Sequence, residues 1–386
     1  MAYRPPGARR SGAGVAHSHI INEPGVGDAA AEGDSVSRQR VLEVIDPGIH
    51  RFLGDGVHYR DLMDLRDRIG QWSQWCGAWI EAGSQAEARG DAALAAGAQR
   101  TGARELARAA LYYHYAQNLY YDDARQKRDA HDRKVAVFAR AAARLDPPLV
   151  PVSIPWAGGS LPAYLRLPRG VERPACVILL GGLDTTKEDY MVVNDLCVER
   201  GLATIAFDGP GQGELLFTHR WPRDFERSVV AVVDFLERCP DVDARRIGII
   251  GRSTGGYYAP RAAALDDRIR AAVSWGAMAH LRNMAEIPRV TLDGFIYVSG
   301  TRNAEEAREY FSCIDLEATG SRIRCPLLVV HGGRDTITPM DNATLMMAAA
   351  AGPLETLIWE DSGHCCHDRS HIVRPAMADF MVRRLQ

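Results

Sequence analysis

The chemistry legible in this chain gathers around Ser253. It lies in Gly251-Arg252-Ser253-Thr254-Gly255, entered from the apolar, β-branched run 247–250 and left through 257–265, a helical segment. A strand that turns sharply into a helix holds a serine hydroxyl clear of its own backbone, the posture of a nucleophile. Gly251 and Gly255 flank the serine because a Cβ there would crowd the turn or the neighbouring strand. A serine alcohol attacks poorly until a base takes its proton, and that base needs an orienting acid. On this kind of elbow the acid and then the histidine follow in chain order, on loops after the late strands. Asp335 stands just beyond the apolar run 327–330, and His364 just beyond 356–359. Asp335 and His364 are therefore the expected acid and base, with Asp361 the competing acid and His367 and His371 the competing bases.

The tetrahedral intermediate formed by such a serine needs two fixed N–H donors. The backbone of Thr254, directly after the nucleophile, is one. The other is expected from Gly182 or Leu183, in a Gly181-Gly182-Leu183-Asp184 loop whose glycines let the backbone approach substrate. Arg252, beside the serine, is a candidate contact for a substrate carboxylate. Tyr112, Tyr113, Tyr115, Tyr120 and Tyr121 cluster upstream, and either line a pocket (Tyr113 the candidate taken) or pack a core. Asp208-Gly209-Pro210-Gly211-Gln212-Gly213 lacks the Lys-Ser/Thr ending of a phosphate loop, and reads as a structural turn near the site entrance.

The elements that must position these residues divide the chain in three. Residues 1–38 are rich in Gly, Ala, Arg, Ser and Pro, and are expected to form a disordered arm. Residues 39–148 form an expected helical cap of three to five helices: Leu62, Leu65, Ile69, Trp72, Trp75 and Trp79 recur near a 3.6 period, and Pro147-Pro148 ends the region. Residues 149–386 alternate strand and helix, beginning with a hairpin across 157–159. Near-continuous apolar strands between helices predict an α/β, mostly parallel, doubly wound sheet covered on both faces, with ligands at the carboxyl ends of its strands. The stretch after the strand 271–275 is expected to be irregular.

Composition excludes several function classes. Apolar residues at 46% and charged residues at 25% are ordinary for a globular protein, and a net charge of −3 offers nothing to a polyanion such as nucleic acid. No apolar run is long enough to span a bilayer, and no apolar segment follows the basic residues 1–10, so neither membrane anchoring nor secretion is expected. The eight cysteines show no zinc-type pairing and are expected to be reduced thiols in a cytoplasmic protein.

Taken together, residues 181–188, 208–213, 251–256, Ser274-Trp275-Gly276 and Gly363-His364-Cys365-Cys366-His367 resemble one α/β-hydrolase branch. It is the branch of 2,6-dihydropseudooxynicotine hydrolase, with esterase-like members and polyketide-shortening hydrolases. The resemblance runs from about Gly54 to the C-terminus. It implies an α/β-hydrolase core with an N-terminal helical cap, a Ser253–Asp335–His364 triad, no metal or organic cofactor, a small-molecule substrate and a homodimer. It also implies cleavage of a carbon–carbon bond next to a ketone, aided by a glutamate after the sixth strand, where Glu286 is the candidate. Arg282 is the alternative, a fixed cation for a departing enolate. Ester or thioester hydrolysis, or acyl transfer, is the rival chemistry. A non-catalytic binding module is the rival from another class, and it has no need of Ser253, Asp335 and His364 together.

Overall fold

The structure, a computed structural model, describes residues 34–157, 159–319 and 322–386. The arm expected over residues 1–38 therefore lies almost wholly outside the described residues, and the first helix already begins at Asp34.

Five helices precede the sheet: α1 (Asp34–Asp55), α2 (Tyr59–Arg68), α3 (Trp75–Ala95), α4 (Gln99–Gln117) and α5 (Ala124–Ala142). The 3.6-residue period from Leu62 to Trp79 is split between two helices. A short 3-10 turn at Trp72–Gln74 lies between α2 and α3, capped reciprocally by the Gln71 and Gln74 side chains. Gly97, at φ +80°, takes the left-handed conformation that ends α3 before α4 starts. Their shared core is aromatic: Trp72, Trp75, Trp79, Tyr112, Tyr113, Tyr115 and Tyr120 are all buried within it. Four of the five clustered tyrosines are thus core residues.

The sheet comprises β1 (Leu149–Trp156), β2 (Gly159–Arg166), β3 (Cys176–Leu180), β4 (Ala203–Phe207), β5 (Ile247–Arg252), β6 (Ile269–Trp275), β7 (Leu327–Gly332) and β8 (Leu354–Trp359). Its order is β1-β2-β4-β3-β5-β6-β7-β8. The β1–β2 hairpin and the β2–β4 pair are antiparallel, and every other pair is parallel. Strands β3 to β7 carry a buried residue at almost every position, as a sheet covered on both faces requires. Helices α6 (Met191–Glu199), α7 (Glu226–Glu237) and α8 (Thr254–Leu265) alternate with the strands.

The stretch after β6 is irregular only as far as Pro288. It then folds into α9 (Arg289–Ser299), α10 (Ala304–Tyr310) and the single turn α11 (Leu316–Thr319) before β7. Phe295, Val298, Ala307 and Phe311 bury into the main core and hold these helices on the sheet. Helices α12 (Met340–Ala348) and α13 (Ser370–Leu385) complete the fold.

One consequence of the strand order positions the site. The chain leaves β3 toward β4 on one side, then crosses back over β3 to β5 on the other. The loops after β3 and β5 therefore diverge at the carboxyl edge, and such a switch point opens a crevice for ligand. The expected α/β-hydrolase core with an N-terminal helical cap is the architecture observed.

Candidate active site

Ser253 sits at the end of β5 with φ +57° and ψ −119°, a strained conformation for a side-chain-bearing residue. Its N–H donates to Trp275 O at 2.7 Å, which clamps the turn against β6. A Cβ on Gly251 would stand 2.0 Å from Gly255 O, so only glycine allows the chain to fold back this tightly. Helix α8 starts at the next residue, Thr254, and its free N–H groups and positive end lie at the serine.

Across the crevice, a Cβ on Gly182 would fall 3.0 Å from Ser253 Cβ and 2.9 Å from Arg252 O. The loop after β3 thus lies directly on the elbow. Gln212 holds that loop from behind, its Nε2 donating to the carbonyls of Gly181 at 3.1 Å and Gly182 at 2.7 Å. This is the work of the 208–213 turn, a brace for the loop rather than a phosphate cradle.

His364 Nε2 lies 3.0 Å from Ser253 Oγ, and His364 Nδ1 lies 2.6 Å from Asp335 Oδ2. Asp335 is itself held: Oδ1 accepts from the N–H groups of Ile337 and Thr338, each at 2.8 Å, and Oδ2 accepts from the Thr338 hydroxyl at 2.7 Å. After His364 the backbone turns through Cys365 (φ +57°) and Cys366 (φ +48°), and the Trp275 indole donates to Cys365 O at 2.6 Å. Gly276 must be glycine because a Cβ there would meet Cys365 Sγ at 2.4 Å. The Ser-Trp-Gly and His-Cys-Cys motifs are therefore two sides of one contact that aims the histidine.

The electrostatics follow from these contacts. Burial opposes the His364 imidazolium, but the Asp335 carboxylate outweighs it and holds the group well above the usual histidine range. Asp335 is in turn lowered, its burial overcome by His364 and the Thr338 donors. The competing residues point elsewhere. His367 packs its ring edge-on against Trp275, and burial drives it well below the usual range. Asp361 pairs with Arg369 at the surface, and His371 is exposed.

Four sequence candidates for substrate contact are not brought to the serine. Glu286 is exposed to solvent. Arg282 is also on the surface, its side chain 54% exposed and spent on Asp315 and Glu317. Tyr113 lies in the cap core, flat against Gly83, with its hydroxyl donating to Glu87 at 2.9 Å. Arg252 is buried beneath the elbow, donating to Thr185 Oγ1 at 2.7 Å and facing Asp55 at 3.7 Å.

Arg252 belongs to a buried charge network that sequence reasoning missed. Asp55, at the end of α1, pairs with Arg374 of α13 at 2.6 Å and accepts from the Tyr115 hydroxyl at 2.8 Å. Arg51 of α1 reaches Asp184, two residues beyond Gly182, at 2.8 Å. Burial disfavours the Asp55 carboxylate, yet Arg374, Arg252 and Arg51 hold it below its ordinary value. The network ties cap, elbow and glycine loop into one unit. Asp55→Ala leaves buried guanidinium groups without their shared partner and should destabilise the protein by about 3–5 kcal/mol, read by denaturant unfolding. A Glu188–Asp208–Glu214 cluster stands next to this unit and has the spacing of a metal site. Its centre is taken by the Lys187 ammonium, 2.6, 2.8 and 2.7 Å from the three carboxylates.

Beside the glycine loop a tight cavity separates cap from core, lined by Leu119, Tyr121 and Lys127 on one side and Leu183, Asp184 and Val298 on the other. Tyr121 is the one member of the tyrosine cluster that lines it. Among the described residues, no helix is long and apolar enough to cross a membrane.

Known proteins resemble this chain in sequence and in fold. Residues 61–360 match the family model described as esterase FrsA-like. The chain is 35% identical over 332 residues to 2,6-dihydropseudooxynicotine hydrolase of Paenarthrobacter nicotinovorans, covering 86% of this chain and 90% of that one. A crystal structure of 2,6-dihydroxy-pseudo-oxynicotine hydrolase superposes with a TM-score of 0.81 at 33% identity, over 87% of this chain and 95% of that one. The α/β hydrolase xenA of Xenoacremonium sinensis is 33% identical over 214 residues, about half of each chain. The chain belongs to the FrsA-like esterase family and is a serine hydrolase of the α/β-hydrolase fold.

Proposed function

We propose that this hydrolase cleaves a carbon–carbon bond next to a ketone, in a small aromatic or polyketide-like 1,3-diketone, by a retro-Claisen step. The single observation that carries the chemistry is the unbroken chain Ser253 Oγ–His364–Asp335, at 3.0 and 2.6 Å, facing the Gly182 backbone. The choice of bond rests on similarity to a 2,6-dihydropseudooxynicotine hydrolase over most of both chains.

In this reading Ser253 attacks one carbonyl while His364 Nε2 takes its proton. Thr254 N–H and the N–H of Gly182 or Leu183 hold the oxyanion, fixed in place before the reaction by α8 and by the Gln212 brace. Collapse breaks the bond to the central carbon, leaving an acyl-serine and an enolate on the second carbonyl. The His364 imidazolium protonates the enolate carbon. Water, deprotonated by His364, then releases the acid, so that diketone plus water yields carboxylic acid plus ketone. Asp335 orients the imidazole throughout.

The cap excludes water from the acyl-enzyme, and a substrate enters by parting the 117–121 segment from α9, since the cavity between them admits little beyond one water. No resident metal or organic group has a role in this scheme. The protein is read as a cytoplasmic homodimer; its eight free cysteines, none disulfide-bonded, support a reducing compartment.

Fluorophosphonate treatment should label Ser253 alone, as mapped by mass spectrometry of the digested protein. The product profile on matched aryl 1,3-diketones, esters and thioesters then decides the bond. Ketone and acid released from the diketone support the proposal. Turnover of esters or thioesters only would give first place to esterase chemistry.

A further inference from the structure

The chain contains only three lysines, Lys127, Lys134 and Lys187, among 46 basic residues. Arginine serves almost every exposed position, yet all three lysines are buried. A position that keeps lysine in such a chain takes a compact point charge on a flexible stem, which the planar fork of arginine does not supply. Lys134 and Lys187 have evident partners, pairing with Glu188 at 3.0 and 2.6 Å. Lys127 differs. Among the described residues no carboxylate forms an ion pair with it. Its Nζ donates to Gln117 O at 2.5 Å and lies 4.4 and 5.6 Å from the ring centroids of Tyr121 and Tyr297.

Lys127 also lines the cavity that Leu183 lines from the opposite side. Leu183 follows Gly182, whose backbone abuts Ser253, so one residue connects the reacting serine to the space facing this ammonium. Carbon–carbon cleavage leaves negative charge on the second carbonyl oxygen, which needs its own donor. Glu286 and Arg282 lie on the surface and cannot supply it.

From this arrangement, and resting on the proposed diketone cleavage, we infer that Lys127 binds the second oxygen of the substrate and takes up the enolate charge as the carbon–carbon bond breaks. The substrate class is then narrowed to compounds with an enolisable or ionised oxygen beyond the scissile carbonyl. Lys127 keeps its proton while the oxygen it holds changes from ketone to enolate, and His364 delivers the proton to carbon, so the overall balance is unchanged. The attraction grows as charge develops, so it favours the transition state over the bound ketone. The aromatic rings around Nζ suit a cation awaiting an anionic ligand. Burial lowers the ammonium to about 7, joined by Lys134 and opposed by Cys76 and Asp184, and negative charge growing on the oxygen it holds favours its protonated form.

With three lysines, the test can be direct. Labelling with [ε-¹³C]lysine should give three side-chain resonances, and the one lost in Lys127→Met is Lys127. In the non-turnover variant Ser253→Ala, adding 1-phenyl-1,3-butanedione should shift the Lys127 resonance and leave Lys134 and Lys187 in place. Acetophenone, which lacks the second oxygen, should not shift it. Combining Lys127→Met with Ser253→Ala should weaken diketone binding by at least ~10-fold relative to acetophenone, read by calorimetry. Diketone binding with an unmoved Lys127 signal overturns the inference. If wild type still cleaves the diketone through Ser253 in that case, the proposed function stands without it. No diketone binding and no diketone cleavage overturns both.

Discussion

Asp335→Asn should lower kcat roughly 10⁴-fold while leaving the fold intact, the scale of the equivalent loss in serine proteases. The carboxylate accepts from His364 Nδ1 at 2.6 Å and is gripped by two backbone N–H groups and the Thr338 hydroxyl. An asparagine in the same cradle must turn its amide against one of these donors, or reverse the imidazole tautomer so that Nε2 no longer accepts the serine proton. The pH profile gives a second reading of the same substitution. Activity requires neutral His364, so it rises with pH as the imidazolium loses its proton. Because Asp335 lifts that group above its ordinary value of about 6.5, the wild-type acidic limb should lie above this pH. Removing the carboxylate leaves burial, which lowers the group, so the residual activity of Asp335→Asn should rise at lower pH than wild type. A pH–kcat/KM series on an activated aryl ester measures both effects. An unchanged limb would show that another group sets it.

His364→Ala should cost at least about 10³-fold in kcat, because His364 is both the base that takes the serine proton and the acid that protonates the leaving group. His367→Ala should cost far less. Although only three residues away, His367 lies edge-on to Trp275, turned from Ser253 by the left-handed backbone at Cys365 and Cys366. Single-turnover and steady-state rates for both variants, with folding checked by circular dichroism, decide between them. A larger loss for His367→Ala would move the base.

The two substitutions show why some of the site could be read from sequence. Ser253, Asp335 and His364 each stand immediately beyond a strand of a parallel sheet, and the carboxyl ends of such strands share one edge. Chain order and strand ends were therefore enough to bring the three residues to that edge. The glycines around the elbow were legible for a related reason, since Gly251 and Gly182 occupy contacts in which a Cβ would collide with backbone. The strand-and-helix alternation over β3 to β8 was likewise carried by local apolar pattern. Helices α9 to α11 were not, because their buried residues come from short segments whose order depends on docking to the core.

Side chains that act across the cap boundary were beyond the reach of pattern. Glu286 and Arg282 lie near the expected place in the chain, but their loop turns both outward to solvent. Tyr113 and Tyr121 are eight positions apart, yet α4 buries the first against Gly83 while the loop after it presents the second to the cavity. Arg252 was legible as a neighbour of the nucleophile; that it is held below it by Asp55, 197 positions earlier, required the docked cap. The scarcity of lysine was visible in the composition, but its meaning was not, since nothing local distinguishes Lys127 from the paired Lys134 seven residues on. Local sequence determined the strand ends, the elbow and the order of nucleophile, acid and base, because backbone sterics and strand periodicity are short-range. Tertiary structure alone decided which charges face one another across cap and core, because burial and ion pairing depend on distances in space that sequence separation does not set.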